Sequence, residues 1–175
     1  SGIKFDTYGV LPRKSGAIAN DSVDLGSATV AWQDLYLSGT IQTATAGTSN
    51  FRAGVNAGNS ITAGGNYNVV VGDEAGTANT TGHSNVAVGY QSLDANTSGI
   101  ENTAVGRNAL GANTTGAANV AVGVDSLLTN STGSSNTFVG NESGKLVTTG
   151  SSNQAMGTGA LENLTSGNSN VGIGV

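Results

Sequence analysis

Apolar residues in this chain come in short runs at a fixed interval. From residue 68 onwards, segments such as Asn68-Val-Val-Val-Gly72 and Asn85-Val-Ala-Val-Gly89 return every seventeen residues, separated by stretches dominated by Asn, Ser, Thr and Gly. With the Asn counted as position 1, that column is Asn68, Asn85, Asn102, Asn119, Asn136, Asn153 and Asn170. Position 4 is always apolar: Val71, Val88, Val105, Val122, Val139, Met156 and Ile173. Position 5 is always Gly: Gly72, Gly89, Gly106, Gly123, Gly140, Gly157 and Gly174. Position 15 is Gly in the six complete copies, Gly82, Gly99, Gly116, Gly133, Gly150 and Gly167. Position 9 is Leu93, Leu110, Leu127 and Leu161 in four copies and Gly in two, while positions 13 and 14 are Thr or Ser throughout. Each Asn-Val-Ala-Val-Gly segment predicts a short β-strand with positions 2 and 4 on one face. Helix is disfavoured, because Gly interrupts every few residues and Asn, Ser and Thr prefer caps and turns.

A period of this length predicts a solenoid with one coil per repeat. Coils stacked about 4.8 Å apart would bring identical residues into register, so six would span roughly 30 Å. The position-4 Val residues would form an apolar ladder and the position-1 Asn residues an amide ladder. The Gly residues at positions 5 and 15 would allow positive φ at the corners. Three segments follow: residues 1–49, an N-terminal β-structured connector; 50–67, a transition or capping coil; and 68–175, six complete repeats and one partial. The middle segment rests on Phe51-Arg-Ala-Gly54, offset by eighteen residues from Val69-Val-Val-Gly72. A coil with so few sizeable apolar side chains does not offset backbone ordering at roughly 1–2 kcal/mol per residue. A parallel oligomer, most simply a homotrimer, is therefore expected, with the small position-3 side chains buried between chains.

Composition narrows the possibilities. The 28 Gly residues accompany a single Pro, unlike a linker rich in both, and they lack the three-residue period of collagen. The net charge is −5. Residues 1–67 are balanced, whereas 68–175 carry seven acids against Arg107 and Lys145 alone. An acidic array without a basic stripe argues against nucleic-acid binding. Without Cys, disulfides and thiolate sites are excluded. No apolar run is long enough for a membrane-spanning helix, and the first residues show no signal-peptide core, so no membrane insertion is expected. The start at Ser1-Gly2 and the stop within a coil at Val175 suggest a piece of a longer chain.

The runs Asn85-Val-Ala-Val-Gly-Tyr-Gln-Ser-Leu93 and Asn102-Thr-Ala-Val-Gly-Arg-Asn-Ala-Leu110, each followed by Asn-Thr-Ser-Gly or Asn-Thr-Thr-Gly, resemble the head repeats of YadA-like trimeric autotransporter adhesins. The variant is the longer one found in phage tail fibres, since typical adhesin heads use a shorter repeat. The resemblance covers residues 68–175 and implies an all-β fold: a left-handed parallel β-roll or β-solenoid built as an intertwined parallel homotrimer, with a small N-terminal β-element. Upstream, Asp24-Leu-Gly-Ser27 and Trp32-Gln-Asp-Leu-Tyr-Leu-Ser-Gly39 look like a segment of phage tail fibre and tail spike proteins. Read from its residues, that segment has the only Trp and alternating Leu35 and Leu37, the pattern of a half-buried strand. The resemblance implies a non-catalytic structural and host-attachment segment of a virion tail fibre, alongside other tail proteins and a host cell-surface glycan or protein. A bacterial trimeric adhesin head on the cell surface is the alternative, and a polysaccharide-degrading tailspike a more distant one. An ice-binding Thr ladder is more distant still.

Few residues suggest chemistry, and no cofactor, metal or catalytic residue is expected. Gly140-Asn-Glu-Ser-Gly144-Lys145 looks like a phosphate-binding loop, but its glycines are one residue too close and Leu146 stands where Ser or Thr is required. His83, the only His, sits at position 16 without Cys or clustered carboxylates, and a solvated corner is its commoner role. Asn79, Asn96, Asn113 and Asn130 head glycosylation sequons, which the repeat itself explains as structural by-products. Positions 6 and 7 vary from copy to copy just after the invariant Gly and are expected to face outwards. Drift on a solvated face is the plainer explanation, and receptor contact centred on Tyr90 and Arg107 the sharper one.

Overall fold

The computed structural model describes residues 13–14, 17–18 and 47–175. The chain divides into two units, Ser1–Ile41 and Gln42–Val175. In the first, β1 (Arg13–Lys14) pairs antiparallel with β2 (Ala17–Ile18). The Asp24–Ser27 and Trp32–Gly39 stretches, and the strand expected at Leu35 and Leu37, lie outside the described residues.

The second unit is all-β, a parallel β-solenoid of about seven turns with no helix among its described residues. Its strands are three residues each: β3 (Phe51–Ala53), β4 (Val69–Val71), β5 (Val86–Val88), β6 (Thr103–Val105), β7 (Val120–Val122), β8 (Thr137–Val139), β9 (Gln154–Met156) and β10 (Val171–Ile173). They form one eight-stranded sheet in chain order. Each strand pairs with the next at the repeat offset, so Val86 lies opposite Thr103, Ala87 opposite Ala104 and Val88 opposite Val105. The same register extends back to Phe51 opposite Val69. Residues 50–67 thus form a coil stacked on the first repeat, one residue longer than the others.

The sheet faces are sorted by size. Position 3 points into the coil: Val70, Ala87, Ala104, Ala121, Phe138 and Ala155 are at most 5% exposed. Leu93, Leu110 and Leu127 of position 9 reach the same interior and are at most 1% exposed. Positions 2 and 4 are the outer face, half-buried or exposed along its length. This corrects the expected burial of position 3 between chains. A seventeen-residue coil encloses a narrow interior, which accepts the methyl of Ala beside one Leu, and the wider Val side chains are left outside.

The exceptions follow the same volume rule. Where position 3 is large, position 9 is Gly. A Cβ on Gly144 would clash with the Cδ1–Cε1 edge of the Phe138 ring, 2.9 Å from its Cζ, and a Cβ on Gly76 would lie 3.3 Å from Val70 Cγ1. The Leu residues at position 9 hold φ between 49° and 53° (Leu127 and Leu93 at the ends of that range among Leu93, Leu110, Leu127 and Leu161). Left-handed backbone costs an L-residue roughly 1–2 kcal/mol. Full burial of the Leu93, Leu110 and Leu127 side chains offsets it, at about 1.5–3 kcal/mol, and the half-buried Leu161 regains less.

The invariant glycines have two separate causes. Position 5 takes φ from 123° at Gly174 to 141° at Gly140. A Cβ there would also meet the next coil's backbone, as at Gly89, 2.7 Å from the Gly106 carbonyl oxygen. Position 15 is not left-handed, contrary to expectation. Its constraint is space: a Cβ on Gly82 would lie 2.5 Å from the Gly99 carbonyl oxygen and 2.7 Å from Asn96 Nδ2.

Candidate functional site

The interior of each coil is closed by amides, so any site must lie on the outer faces. Position 1 forms a continuous ladder. Asn102 Nδ2 donates to Asn85 Oδ1 at 3.2 Å and to the Gly116 carbonyl at 2.8 Å, and its backbone N–H donates to Asn85 Oδ1 at 2.9 Å. Asn119, Asn136 and Asn153 repeat this pattern. The ladder begins before the first repeat, at Asn50, whose Oδ1 accepts from the Asn68 backbone at 2.8 Å. Two interior acceptors and donors are thereby satisfied in every coil, which buried amides require.

A second amide ladder was visible in the sequence only as sequons. Asn96, Asn113 and Asn130 each donate through Nδ2 to the preceding member's Oδ1, at 3.1, 3.0 and 3.2 Å. Each also donates to the carbonyl of the Gly three residues on. With Asn79 these residues are at most 2% exposed. Their nitrogens are committed to the core, so none is an attachment point for glycan in the folded chain. The ladder stops where Val147 takes the next place, leaving Asn130 Oδ1 buried without a partner.

Outside, the Thr arm is also internally bonded. The hydroxyls of Thr80, Thr97, Thr114, Ser131 and Thr148 donate to backbone carbonyls of the next coil at 2.8–3.2 Å. Position 14, beside it, is exposed in every complete repeat. His83 is half-buried, its Nδ1 3.3 Å from Ser84 Oγ. Among the described residues no three His, Cys, Asp or Glu side chains gather as a metal set would. The Gly140–Lys145 loop is turn on a strand with no helix behind it, and Lys145 Nζ is held by Glu142 at 3.0 Å. That hydrogen bond keeps the ammonium above its ordinary pKa.

Two outer faces remain. The first is the sheet face of positions 2 and 4, where Val86, Val88, Val105, Val120 and Val122 form paired columns that are apolar but for Thr103. Towards the C-terminal end it widens into a shallow hollow lined by Thr137, Val139, Gln154, Met156, Val171 and Ile173. There Met156, Val171 and Ile173 are 60%, 70% and 83% exposed. The second is the corner at positions 6 and 7. Tyr90 and Arg107 stand on consecutive coils, both exposed. Position 7 lies alongside with left-handed φ at Gln91, Asn108 and Asp125. Arg107 and Asn108 both bind Asp125, at 3.2 and 2.9 Å. One coil earlier, Gln91 donates to Glu74 at 2.7 Å. Nearby Asp94 is pushed up in pKa by burial, with a further rise from the Glu74 charge and an opposing pull from backbone N–H groups of Asp94 and Ala95.

Compared with protein-family models, curated proteins and solved structures, the chain matches none.

Proposed function

We propose that this chain is a structural and host-attachment segment of a phage tail fibre, acting without catalysis as a trimeric shaft or head. One observation carries the reading. An apolar sheet face runs the whole length of an otherwise polar solenoid, with Val71, Val88, Val105, Val122 and Val139 aligned in one column. Contiguous apolar surface of that kind mark sites of association. Its periodicity fits a second copy of the same chain, because every coil from β4 to β10 presents an apolar position-4 side chain in the same place to its neighbour. Three copies around a common parallel axis cover every such face equally, and a closed cyclic assembly leaves no face over. The β-roll hand and the intertwining expected from the adhesin resemblance belong to the same proposal.

A stack of coils tied by backbone bonds and two amide ladders is rigid along its axis, as a fibre segment requires. The variable corner at positions 6 and 7 would then face outwards from the trimer and meet the host. The assay is attachment: fluorescently labelled protein is applied to a panel of bacterial strains and to strains lacking surface polysaccharide. Saturable binding to some strains and no release of reducing sugar from their polysaccharides supports a non-catalytic attachment role. Release of oligosaccharides overturns it in favour of the tailspike reading.

A further inference from the structure

We infer that the Tyr90–Arg107 corner is a docking ladder for an uncharged saccharide chain; this deepens the attachment reading and rests on it.

The corner gathers residue types that are scarce elsewhere. Residues 68–175 contain one Tyr and two cations, and Tyr90 and Arg107 occupy the same position on neighbouring coils. Tyr90 is 49% exposed and the Arg107 side chain 54%. Val124 continues the column on the following coil, 36% exposed. The column is rigid. Asn108 N–H donates to the Tyr90 carbonyl at 3.0 Å, and Asp125 N–H to the Arg107 carbonyl at 2.9 Å. Successive members therefore stand one coil apart, about 4.8 Å. That spacing is close to the length of one hexose unit along a glycan.

The chemistry selects the ligand class. An exposed aromatic face packs against the C–H face of a pyranose, while neighbouring planar amide, guanidinium and carboxylate groups meet its hydroxyls. Gln91, Asn108 and Asp125 supply those groups beside the column, pre-oriented by bonds to one another or to the coil before. Pre-orientation lowers the ordering cost of binding. Charge then decides between neutral and anionic chains. The Arg107 charge is met by Asp125 at 3.2 Å, and the repeats carry seven acids against two bases. A carboxylated or sulfated chain would be repelled over a Debye length of about 8 Å. A protein partner fits less well, because a stable interface needs on the order of 800 Å² per side with an apolar centre. This corner offers one ring and one Val among polar side chains.

The test uses the full chain on a panel of neutral and carboxylated oligosaccharides, with calorimetric titration of each hit. Neutral oligosaccharides should bind, Tyr90→Ala should weaken them on the order of tenfold by uncovering the ring's partner face, and Arg107→Ala should weaken them less. Thr149→Ala, on the exposed Thr row, should bind as the parent does. Circular dichroism of each variant separates lost binding from lost fold. Absence of binding to every neutral oligosaccharide, preference for carboxylated ones, or binding indifferent to Tyr90→Ala would each overturn the inference. Cell attachment of the Tyr90→Ala protein keeps the two proposals apart. Unchanged attachment leaves the fibre reading standing and removes this surface; oligosaccharide binding without attachment to any strain does the reverse.

Discussion

Phe138 and Gly144 form an exchangeable unit inside the solenoid, and a double-mutant cycle measures it. Phe138 is fully buried at a position where Ala stands in four other coils, and its ring occupies the space that Leu fills at position 9. Phe138→Ala leaves a cavity, a loss of about 3–5 kcal/mol. Gly144→Leu drives a side chain into the ring, costing about 1–3 kcal/mol for overpacking. It also places Leu at φ 61°, near the 49° that Leu127 already tolerates. The double variant recreates the Ala121–Leu127 pairing and should lie within about 1 kcal/mol of the parent, since the volume is conserved. The singles together predict a loss of roughly 4–8 kcal/mol, so the coupling is about 3–7 kcal/mol, at or above the 0.5–3 kcal/mol usual for residues in contact. Stacked repeats open locally, so hydrogen exchange of amides in the coils around Phe138 is the suitable assay. Both singles should exchange faster there and the double should regain protection. A double variant as unprotected as the sum of its singles would refute the placement of positions 3 and 9 in one interior.

Two further perturbations test the amides and the acids. Asn119→Ala removes the acceptor for the Asn136 N–H and Nδ2 and the donor to the Gly133 carbonyl. With two or three buried groups left unpaired at about 1–3 kcal/mol each, chemical denaturation should show a loss of roughly 2–9 kcal/mol. Asn170→Ala at the exposed end should lose far less, and equal losses would count against a cooperative ladder. Asp94 has a folded pKa raised above its ordinary value of 3.8. The folded state thus binds the proton more tightly, and its charged form is disfavoured at every pH above the raised folded value. Asp94→Asn should raise the melting temperature at neutral pH, and that gain should shrink as pH falls through the raised pKa towards 3.8. A gain that is constant with pH would show that the burial of charge is not its cause.

Much of this architecture was legible because a strict period converts sequence columns into spatial ladders. The position-1 amide ladder, the Gly corners at position 5 and the shared row of Tyr90 and Arg107 all follow from counting. The direction of the sheet faces did not. Positions 3 and 4 are both apolar, and alternation alone does not say whether Ala or Val turns inwards. The signal was present as a pairing: Val70 with Gly76 and Phe138 with Gly144, against Ala with Leu elsewhere. A size exchange between two columns means that they share a volume. At position 15 the column suggests positive φ, because a single sequence does not separate a φ requirement from a missing-Cβ requirement. Only the neighbouring coil's carbonyl distinguishes them. Asn79, Asn96, Asn113 and Asn130 are a column too, and the repeat accounts for their sequons as by-products, but that their amides turn inwards as a second ladder does not follow from the column alone.

The proposal that copies of the same chain cover the apolar face of positions 2 and 4 turns on the size of the particle in solution. Sedimentation equilibrium of the purified chain, over a wide range of concentration, tests it most directly. A single species of three times the chain mass is expected, converted to smaller species by Val105→Asp together with Val122→Asp on that face. A parent chain that sediments as a stable, folded monomer would contradict it.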